Sequence, residues 1–299
     1  MSQSIRPRRS VLYMPGSNSR ALDKGRTLPA DALILDLEDA VTPDSKVQAR
    51  DNIRAALAAG GYGARELIVR VNGLDSPWGK ADIEALAQSG AQALLIPKVE
   101  SAAMVQAVDA LMVAAGAPND MAIWCMMETP LGILRADAIA GASPRLACLV
   151  MGTSDLVKDL GAAHTADRLP VLTALSLCLL AARAHGLTAL DGVHLDLSDA
   201  AGLRAQCQQG RDLGFDGKTL IHPKTLAVAN EVFAPSEGDI AQAHRIIAAY
   251  QAAEAAGKGV VLLDGKLVEN LHVAAAQRSV ALAEAIKQQE TAAADHVAP

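Results

Sequence analysis

The chain has 299 residues, of which 51% are hydrophobic and 20% are charged. This balance is that of a globular protein with a sizeable core, and it excludes disorder over most of the length. Aromatic residues make up only 2% and the formal net charge is -6, which excludes a basic, base-stacking surface for nucleic acid. We therefore expect the partner to be a small molecule.

The four cysteines, Cys125, Cys148, Cys178 and Cys207, show no CxxC spacing. We interpret them as small buried hydrophobic residues of a reducing cytosol, not as zinc ligands or disulfide partners. The N-terminal residues lack the apolar segment of a signal peptide, and the longest apolar run, 171–182, is too short to span a bilayer. The sequence thus predicts a cytoplasmic protein that does not enter a membrane.

Short runs rich in Val, Ile and Leu alternate along the chain with Ala-rich stretches of helical period. Such alternation is typical of repeated βα units around a parallel sheet. Eight repeats favour a closed (β/α)8 TIM barrel over 1–224, although periodicity alone also permits a doubly wound sheet. The predicted strands are 10–14, 32–36, 67–71, 93–96, 122–127, 147–151, 188–191 and 216–221.

The pattern changes after Pro223, and 225–299 are predicted to form a helical C-terminal extension. Its predicted elements are a helix near 239–256, a short strand at 260–263 and a last helix over about 272–288. A segment of this size buries little surface alone, so we expect it to pack on its own barrel or on that of a neighbouring subunit.

Active sites of such barrels lie at the C-terminal ends of the strands, and two acids follow the fifth and sixth predicted strands there. These are Glu128 in MMETPLG and Asp155 in MGTSDL. Neighbouring carboxylates repel each other unless a cation lies between them, and oxygen ligands alone favour Mg²⁺ over zinc. The alternative is that each acid only caps the helix that follows it.

Arg70 in VRVN ends the third predicted strand, and the second strand offers Glu38 and Asp39 as carboxylate partners. Such a pair would hold the guanidinium rigid while leaving donors for an anionic ligand. A purely structural ion pair is the alternative interpretation.

Weaker candidates follow other strands. The turn after the first strand, with Arg20 and Lys24 nearby, offers backbone N–H groups to an anion. Lys98 in IPKVE fits a Schiff-base lysine but ranks below the acids and Arg70. Asp191 and His222 are expected to support other site residues or the fold and not to be catalytic.

Several motifs, taken in order, resemble the citrate lyase β-subunit-like family of the malate synthase and aldolase superfamily. They are RRSVLYMPGSN, DALILDLEDAV, VRVN, METPLG, MGTSDL, GKTLIHP and DGKLVENLHV, and they span about residues 9–272. The resemblance implies a (β/α)8 barrel, Mg²⁺ on Glu128 and Asp155, Arg70 at the substrate, and acyl-CoA or acyl-carrier thioesters as substrates. It also implies a homotrimer or hexamer whose C-terminal segment covers a neighbouring site, and it gives Gly152 and Thr153 a role in substrate or CoA binding.

One position departs from the family pattern. Many members have Asp as acid/base on the α-carbon of the thioester where this chain has Glu269 in LVEN. The extra methylene changes the reach of the carboxylate by about 1.5 Å, and misplacement on the order of 1 Å can cost a hundredfold in rate. We therefore expect chemistry that is altered, slow or tuned to another substrate.

The resemblance implies reversible carbon-carbon cleavage of a malyl-, citramalyl- or citryl-CoA into a 2-oxo acid and an acyl-CoA. In that mechanism Arg70, oriented by Glu38 and Asp39, stabilises the developing negative charge, and Glu269 protonates the enolate carbon. Arg20 and Lys24 would pair with CoA phosphates. The alternatives are a thioesterase on the same acyl-CoA, an Mg²⁺-dependent pyruvate aldolase on free acids, and a subunit that docks a carrier protein inside a citrate lyase complex.

Overall fold

The computed structural model describes residues 5–295, which divide into two compact units. The first spans Arg8–Phe233, and the second contains the described residues from Ala234 onward together with residues 5–7. The predicted boundary at residue 224 falls just before a helix, Leu226–Phe233, that packs on the neighbouring helix and on two strands of the first unit.

Eight parallel strands close the first unit into a barrel in which each strand pairs with the next and the last pairs with the first. The predicted (β/α)8 fold is confirmed. The strands are β1 (Ser10–Pro15), β2 (Ala32–Asp36), β3 (Glu66–Arg70), β4 (Ala93–Ile96), β5 (Ala122–Met127), β6 (Leu146–Met151), β7 (Thr188–Asp191) and β8 (Gly217–Leu220).

Helices connect successive strands, and several begin at side chains that accept a hydrogen bond from the first helical turn. Asn18, Ser101 and Asp199 are such N-caps. The helices of this unit are α1 (Ser19–Gly25), α2 (Lys46–Ala59), α3 (Gly79–Leu86), α4 (Ala102–Ala114), α5 (Pro130–Leu134), α6 (Ala136–Ala140), α7 (Thr153–Asp159), α8 (Leu172–Ala184), α9 (Ala200–Leu213) and α10 (Leu226–Phe233).

Alternating strand residues divide the core into two apolar layers because successive side chains point to opposite faces of a strand. One cluster fills the barrel interior and includes Ile34, Ile68 and Trp124. The other lies between the strands and the helices and includes Leu33, Val69 and Cys125. Because every second strand residue faces the barrel interior, Tyr13, Asp36 and Arg70 also face inward, at the C-terminal end of the barrel.

The second unit contains a helix, a hairpin and a long final helix. Helix α11 (Glu237–Ala255) begins with a capping box formed by Ser236 and Asp239. The hairpin pairs β9 (Val261–Leu263) with β10 (Lys266–Val268), and α12 covers Asn270–Asp295. The last helix therefore extends beyond the predicted 272–288, since its Ala, Glu, Lys and Gln residues favour helix to the end of the described chain.

Along residues 5–295, none of the helices combines the length and the apolarity that crossing a bilayer requires.

Candidate active site

A cavity of about 350 Å³ opens at the C-terminal ends of the barrel strands. Residues from six of the strands and from segments that follow the strands line it, as is usual for ligand sites of such barrels. The lining residues are Tyr13, Asp36, Asp39, Ala40, Arg70, Met126, Glu128, Met151, Gly152, Thr153, Ser154, Asp155, Val193, Leu195, Thr219 and Ile221.

Glu128 lies directly after β5, is only 2% exposed, and accepts a hydrogen bond from the backbone N–H of Lys98 at 2.8 Å. The pKa of Glu128 is raised to about 7, chiefly because the group is buried; the carboxylates of Glu38 and Asp155 add to the rise, and the Lys98 N–H and Arg70 oppose it. The helix-cap alternative does not hold for Glu128, because the N-cap of α5 is Thr129, whose hydroxyl accepts from Gly132 N–H at 3.0 Å. Glu128 is therefore a buried carboxylate that caps no helix, and it is available as a ligand for a cation.

Asp155 lies in the first turn of α7, directly after β6, and lines the same cavity as Glu128. Gly152 separates the strand from this helix, and a Cβ at Gly152 would collide with the Glu128 carboxylate. Because Gly152 has no side chain, there is room for the Glu128 carboxylate at this position.

The two carboxylates of Glu128 and Asp155 suit a hard divalent cation that takes oxygen ligands and keeps open positions. Within residues 5–295, no group of three or more His, Cys, Asp or Glu side chains is arranged to hold a metal ion. The protein would thus contribute two carboxylates and leave the other positions to water and substrate. A bound cation would also offset the burial of charge that raises the pKa of Glu128.

Arg70 ends β3 and is held by acids from the second strand and its loop. Its Nε and Nη2 donate to the two carboxylate oxygens of Asp36 at 2.7 and 2.6 Å. Nη1 lies 2.7 Å from Glu38 and 3.5 Å from Asp39. The guanidinium carbon also lies 4.9 Å from the centre of the Tyr13 ring, a cation–π contact. These contacts fix the orientation of Arg70 in the cavity wall.

Asp36 is itself held by the loop that follows β2. Its carboxylate accepts hydrogen bonds from the backbone N–H groups of Glu38 and Ala40 at 2.9 and 3.2 Å. Lys46 Nζ donates to the carbonyl oxygens of Leu37 and Glu38, which closes the same loop. The carboxylate that grips Arg70 is therefore part of a rigid turn.

Lys98 joins the two acidic groups of the site. Its backbone N–H holds Glu128, and its ammonium lies 3.4 Å from Glu38. Burial acts to lower the pKa of Lys98, but Glu38 and Asp39 outweigh it, so the pKa lies above its usual value. This disfavours the Schiff-base interpretation, since a nucleophilic lysine needs a lowered pKa.

The remaining predicted residues lie outside the lining of the cavity. Arg20 and Lys24 are exposed on α1. Asp191 is buried in ion pairs with Arg168 and Lys218 at 2.6 and 2.9 Å, and its role is structural. Glu269 follows β10 in the second unit, where its backbone N–H donates to His272 Nδ1 at 3.1 Å.

His222 is also structural, because its ring Nδ1 accepts a hydrogen bond from the Lys224 N–H. Its exposed side chain is used to start the turn that follows β8.

Sequence reasoning missed three features of this site: Asp36 as the main partner of Arg70, the Tyr13 ring beneath the guanidinium, and the contact of Tyr13 with Met126. A signal for the first was present, because Asp36 and Arg70 are the last residues of consecutive strands and pair in register. No comparable signal identifies the other two.

A family profile described as HpcH/HpaI aldolase/citrate lyase matches residues 9–223, nearly the whole barrel unit. The chain belongs to this family. The predicted resemblance to citrate lyase β-subunit-like proteins is thereby confirmed.

Two relatives from Cereibacter sphaeroides carry different activities in their names. A (3S)-malyl-CoA thioesterase is 54% identical over 286 residues, which cover 96% of this chain and 98% of the relative. An L-malyl-CoA/beta-methylmalyl-CoA lyase is 38% identical over 94% of this chain and 96% of its own. The chain is therefore an enzyme of the citrate lyase β-subunit family that is similar to both kinds of relative.

Among solved structures, CitE from Mycobacterium tuberculosis in complex with magnesium, acetoacetate and coenzyme A is similar over 92% of this chain and 97% of its own. The TM-score is 0.74 and the sequence identity is 29%. The similarity covers the barrel and extends beyond it.

Proposed function

We propose that this enzyme hydrolyses the thioester of a 3-hydroxy-3-carboxyl acyl-CoA of the malyl-CoA type in an Mg²⁺-dependent reaction. The observation that carries the proposal is the shared cavity of Glu128, Asp155 and Arg70, which combines two carboxylates with a fixed guanidinium. The 54% identity to a (3S)-malyl-CoA thioesterase over almost the full length favours hydrolysis of this substrate class.

Glu128 and Asp155 would hold the Mg²⁺ ion, and the magnesium in the similar CitE structure supports this assignment. Mg²⁺ held by these residues would supply a Lewis acid for the oxygen atoms of the acyl group. The Lys98 N–H keeps the Glu128 carboxylate in position for this role. Gly152 and Thr153 line the cavity beside these acids and would contact the acyl group or the CoA.

Arg70 binds a substrate oxygen that carries negative charge. Asp36 holds the guanidinium by two hydrogen bonds, so that no side-chain freedom has to be lost when the substrate binds. Glu38 and Asp39 complete the orientation of Arg70 from the loop that follows β2.

Hydrolysis consumes one water molecule. Water adds to the thioester carbonyl carbon, the carbon–sulfur bond breaks, and the products are a free hydroxy diacid and the thiol of CoA. The fixed positive charge of Arg70 and the buried position of the acyl group favour this addition over reaction in bulk water. Arg20 and Lys24 remain the proposed partners of the CoA phosphates.

Carbon-carbon cleavage, the activity that ranks first from the sequence, is the second candidate. The 38% identity to a malyl-CoA lyase supports it, and Glu269 would then protonate the enolate carbon. We rank it second because the thioesterase relative is more similar and because Glu269 replaces the usual Asp. The CoA named in these relatives favours either thioester reaction over an aldolase that acts on free acids.

The products distinguish the two reactions. Purified protein is incubated with Mg²⁺ and (3S)-malyl-CoA, and free thiol and glyoxylate are measured in the same samples. Hydrolysis releases free CoA without glyoxylate, whereas carbon-carbon cleavage releases glyoxylate and acetyl-CoA without free thiol. Glyoxylate in step with substrate loss would overturn the proposed hydrolysis in favour of the lyase. Citramalyl-CoA and citryl-CoA, tested alongside, report the acyl preference.

A further inference from the structure

The aromatic ring of Tyr13 on β1 faces the inside of the barrel and lines the cavity beside Arg70. The guanidinium carbon of Arg70 lies 4.9 Å from the centre of this ring. A phenylalanine would provide the same contact, so the stacking does not account for the phenolic hydroxyl.

The hydroxyl of Tyr13 has a weak partner. Along residues 5–295 its one hydrogen bond goes to the thioether sulfur of Met126, at 3.3 Å. Thioether sulfur is a poor acceptor, and buried phenols normally find an oxygen or nitrogen partner. Since Tyr13 and Met126 both line the cavity, a ligand oxygen there offers the hydroxyl a better acceptor.

The charges around the cavity indicate which oxygen this is. Asp36, Asp39, Glu128 and Asp155 all line the cavity, so negative charge that develops on a thioester oxygen meets acids on several sides. Asp36 and Glu38 engage part of the N–H groups of Arg70, and the proposed function assigns the remaining donors to a substrate oxygen that already carries negative charge. A neutral donor that is aimed into the cavity can stabilise such an oxygen without adding a charge.

We propose that the Tyr13 hydroxyl donates a hydrogen bond to the thioester carbonyl oxygen of the bound acyl-CoA. The inference rests on the proposed function, because it requires a thioester in the cavity. Burial raises the pKa of Tyr13 far above its usual value, so the hydroxyl keeps its proton in the neutral range. The interaction strengthens as the carbonyl oxygen gains charge, and it therefore acts on kcat more than on KM.

The test is Tyr13→Phe, which keeps the ring and its contact with Arg70 and removes only the hydroxyl. The matched control is Tyr62→Phe. Tyr62 also stacks on an arginine, Arg26, at 5.0 Å, and its buried hydroxyl donates to Leu22 O at 3.1 Å, away from the cavity lining. Both variants lose a phenolic hydroxyl beside a guanidinium, but only one loses it in the cavity.

We expect Tyr13→Phe to lower kcat for malyl-CoA by about 100-fold with KM changed by less than about threefold, the size seen when one donor to a developing oxyanion is removed. The thermal midpoint and Mg²⁺ affinity should stay at wild-type values. Tyr62→Phe should leave kcat unchanged. A kcat of Tyr13→Phe within about twofold of wild type, or an equal loss in Tyr62→Phe, would overturn the inference.

The outcome for Tyr13 is separable from that for the proposed function. In carbon-carbon cleavage the thioester oxygen also gains charge, as an enolate, so the ratio of variant to wild type is measured on whichever product forms. If glyoxylate forms and Tyr13→Phe has a large effect on its rate of formation, the proposed hydrolysis is overturned, but the role of the Tyr13 hydroxyl as hydrogen-bond donor is supported. If free thiol forms and Tyr13→Phe has no such effect, the proposed hydrolysis is supported and the role of the Tyr13 hydroxyl is overturned. A wild type that turns over none of the three thioesters overturns both.

Discussion

Asp36 and Arg70 occupy the last positions of neighbouring strands and pair in register, and the guanidinium of Arg70 donates to both carboxylate oxygens of Asp36. Asp36 is fully buried and Arg70 is 7% exposed. A bidentate pair at this depth gives the arginine one orientation. The position of the positive charge in the cavity is therefore set by the barrel itself, not by a flexible loop.

Asp36→Asn should weaken both activity and folding. It leaves Arg70 without its bidentate acceptor, so we expect kcat/KM to fall by more than about tenfold and the free energy of unfolding to fall by about 3 kcal/mol. Steady-state kinetics and urea denaturation measure the two effects. The control Glu231→Gln removes a carboxylate from an exposed pair with Arg204 and should change neither. Full activity in Asp36→Asn would show that Arg70 needs no such anchor.

Glu128 should make the stability of the metal-free protein dependent on pH. Its pKa of about 7 in the folded protein lies above the usual 4.5, so the folded state holds the proton more tightly than the unfolded chain does. Its contribution to stability is fully present below about pH 4.5 and is lost as the pH rises through 7. Each tenfold difference in proton affinity between the folded and unfolded states corresponds to about 1.4 kcal/mol.

The Glu128→Gln variant should consequently be more stable than wild type by up to about 3 kcal/mol at pH 8, and the advantage should shrink towards pH 4.5. Chemical denaturation in the presence of EDTA measures this difference. Glu84→Gln, at an exposed position on α3, serves as the control and should show no such pH dependence. If the stability advantage of Glu128→Gln over wild type were the same at every pH, the raised pKa assigned to the buried Glu128 would be contradicted.

Gly152→Ala should disturb the proposed cation site without removing either proposed ligand. The new Cβ collides with the Glu128 carboxylate, so the carboxylate must move, and we expect Mg²⁺ affinity to fall by at least about tenfold. Calorimetric titration with Mg²⁺ measures the change. In the control Gly238→Ala, the nearest atom lies 3.7 Å from the new Cβ, and affinity should not change. Unaltered Mg²⁺ binding in Gly152→Ala would contradict the assignment of Glu128 as a metal ligand.

Much of this site was predictable because strand ends of a barrel converge. Once eight strands are assigned, Arg70, Glu128 and Asp155 fall at the same rim. The strand assignment itself depends on apolar runs, which are clear in an Ala-rich chain with few aromatic residues. These features follow from periodicity and topology alone.

The contacts within the site depend on loop geometry that periodicity does not report. Asp36, Glu38 and Asp39 follow one strand, and the turn that bonds Asp36 to the Glu38 N–H decides which of them grips Arg70. Lys98 reaches Glu128 through its backbone because its φ is +49°, a conformation that its residue type does not favour. Such details are set by tertiary packing.

The predicted assembly, in which the C-terminal segment covers a neighbouring site, can be tested by mixing inactive variants. If Glu269 serves the site of another subunit, as carbon-carbon cleavage would require, Arg70→Ala and Glu269→Gln dissociated and reassociated together should show more lyase activity than either variant alone. Mixing Arg70→Ala with Asp36→Asn is the control and should regain none, because both changes damage the same barrel site. Failure of the first mixture would place Glu269 outside a shared site.

The most direct test of the account is calorimetric titration of the metal-free protein with Mg²⁺ at pH 8. Wild type should bind one ion per chain, and Glu128→Gln and Asp155→Asn should each weaken binding by about 100-fold or more, because each removes one of the two proposed charged ligands. Asp159→Asn, at the exposed end of the same helix as Asp155, should bind like wild type. Wild-type affinity in both ligand variants would contradict the account.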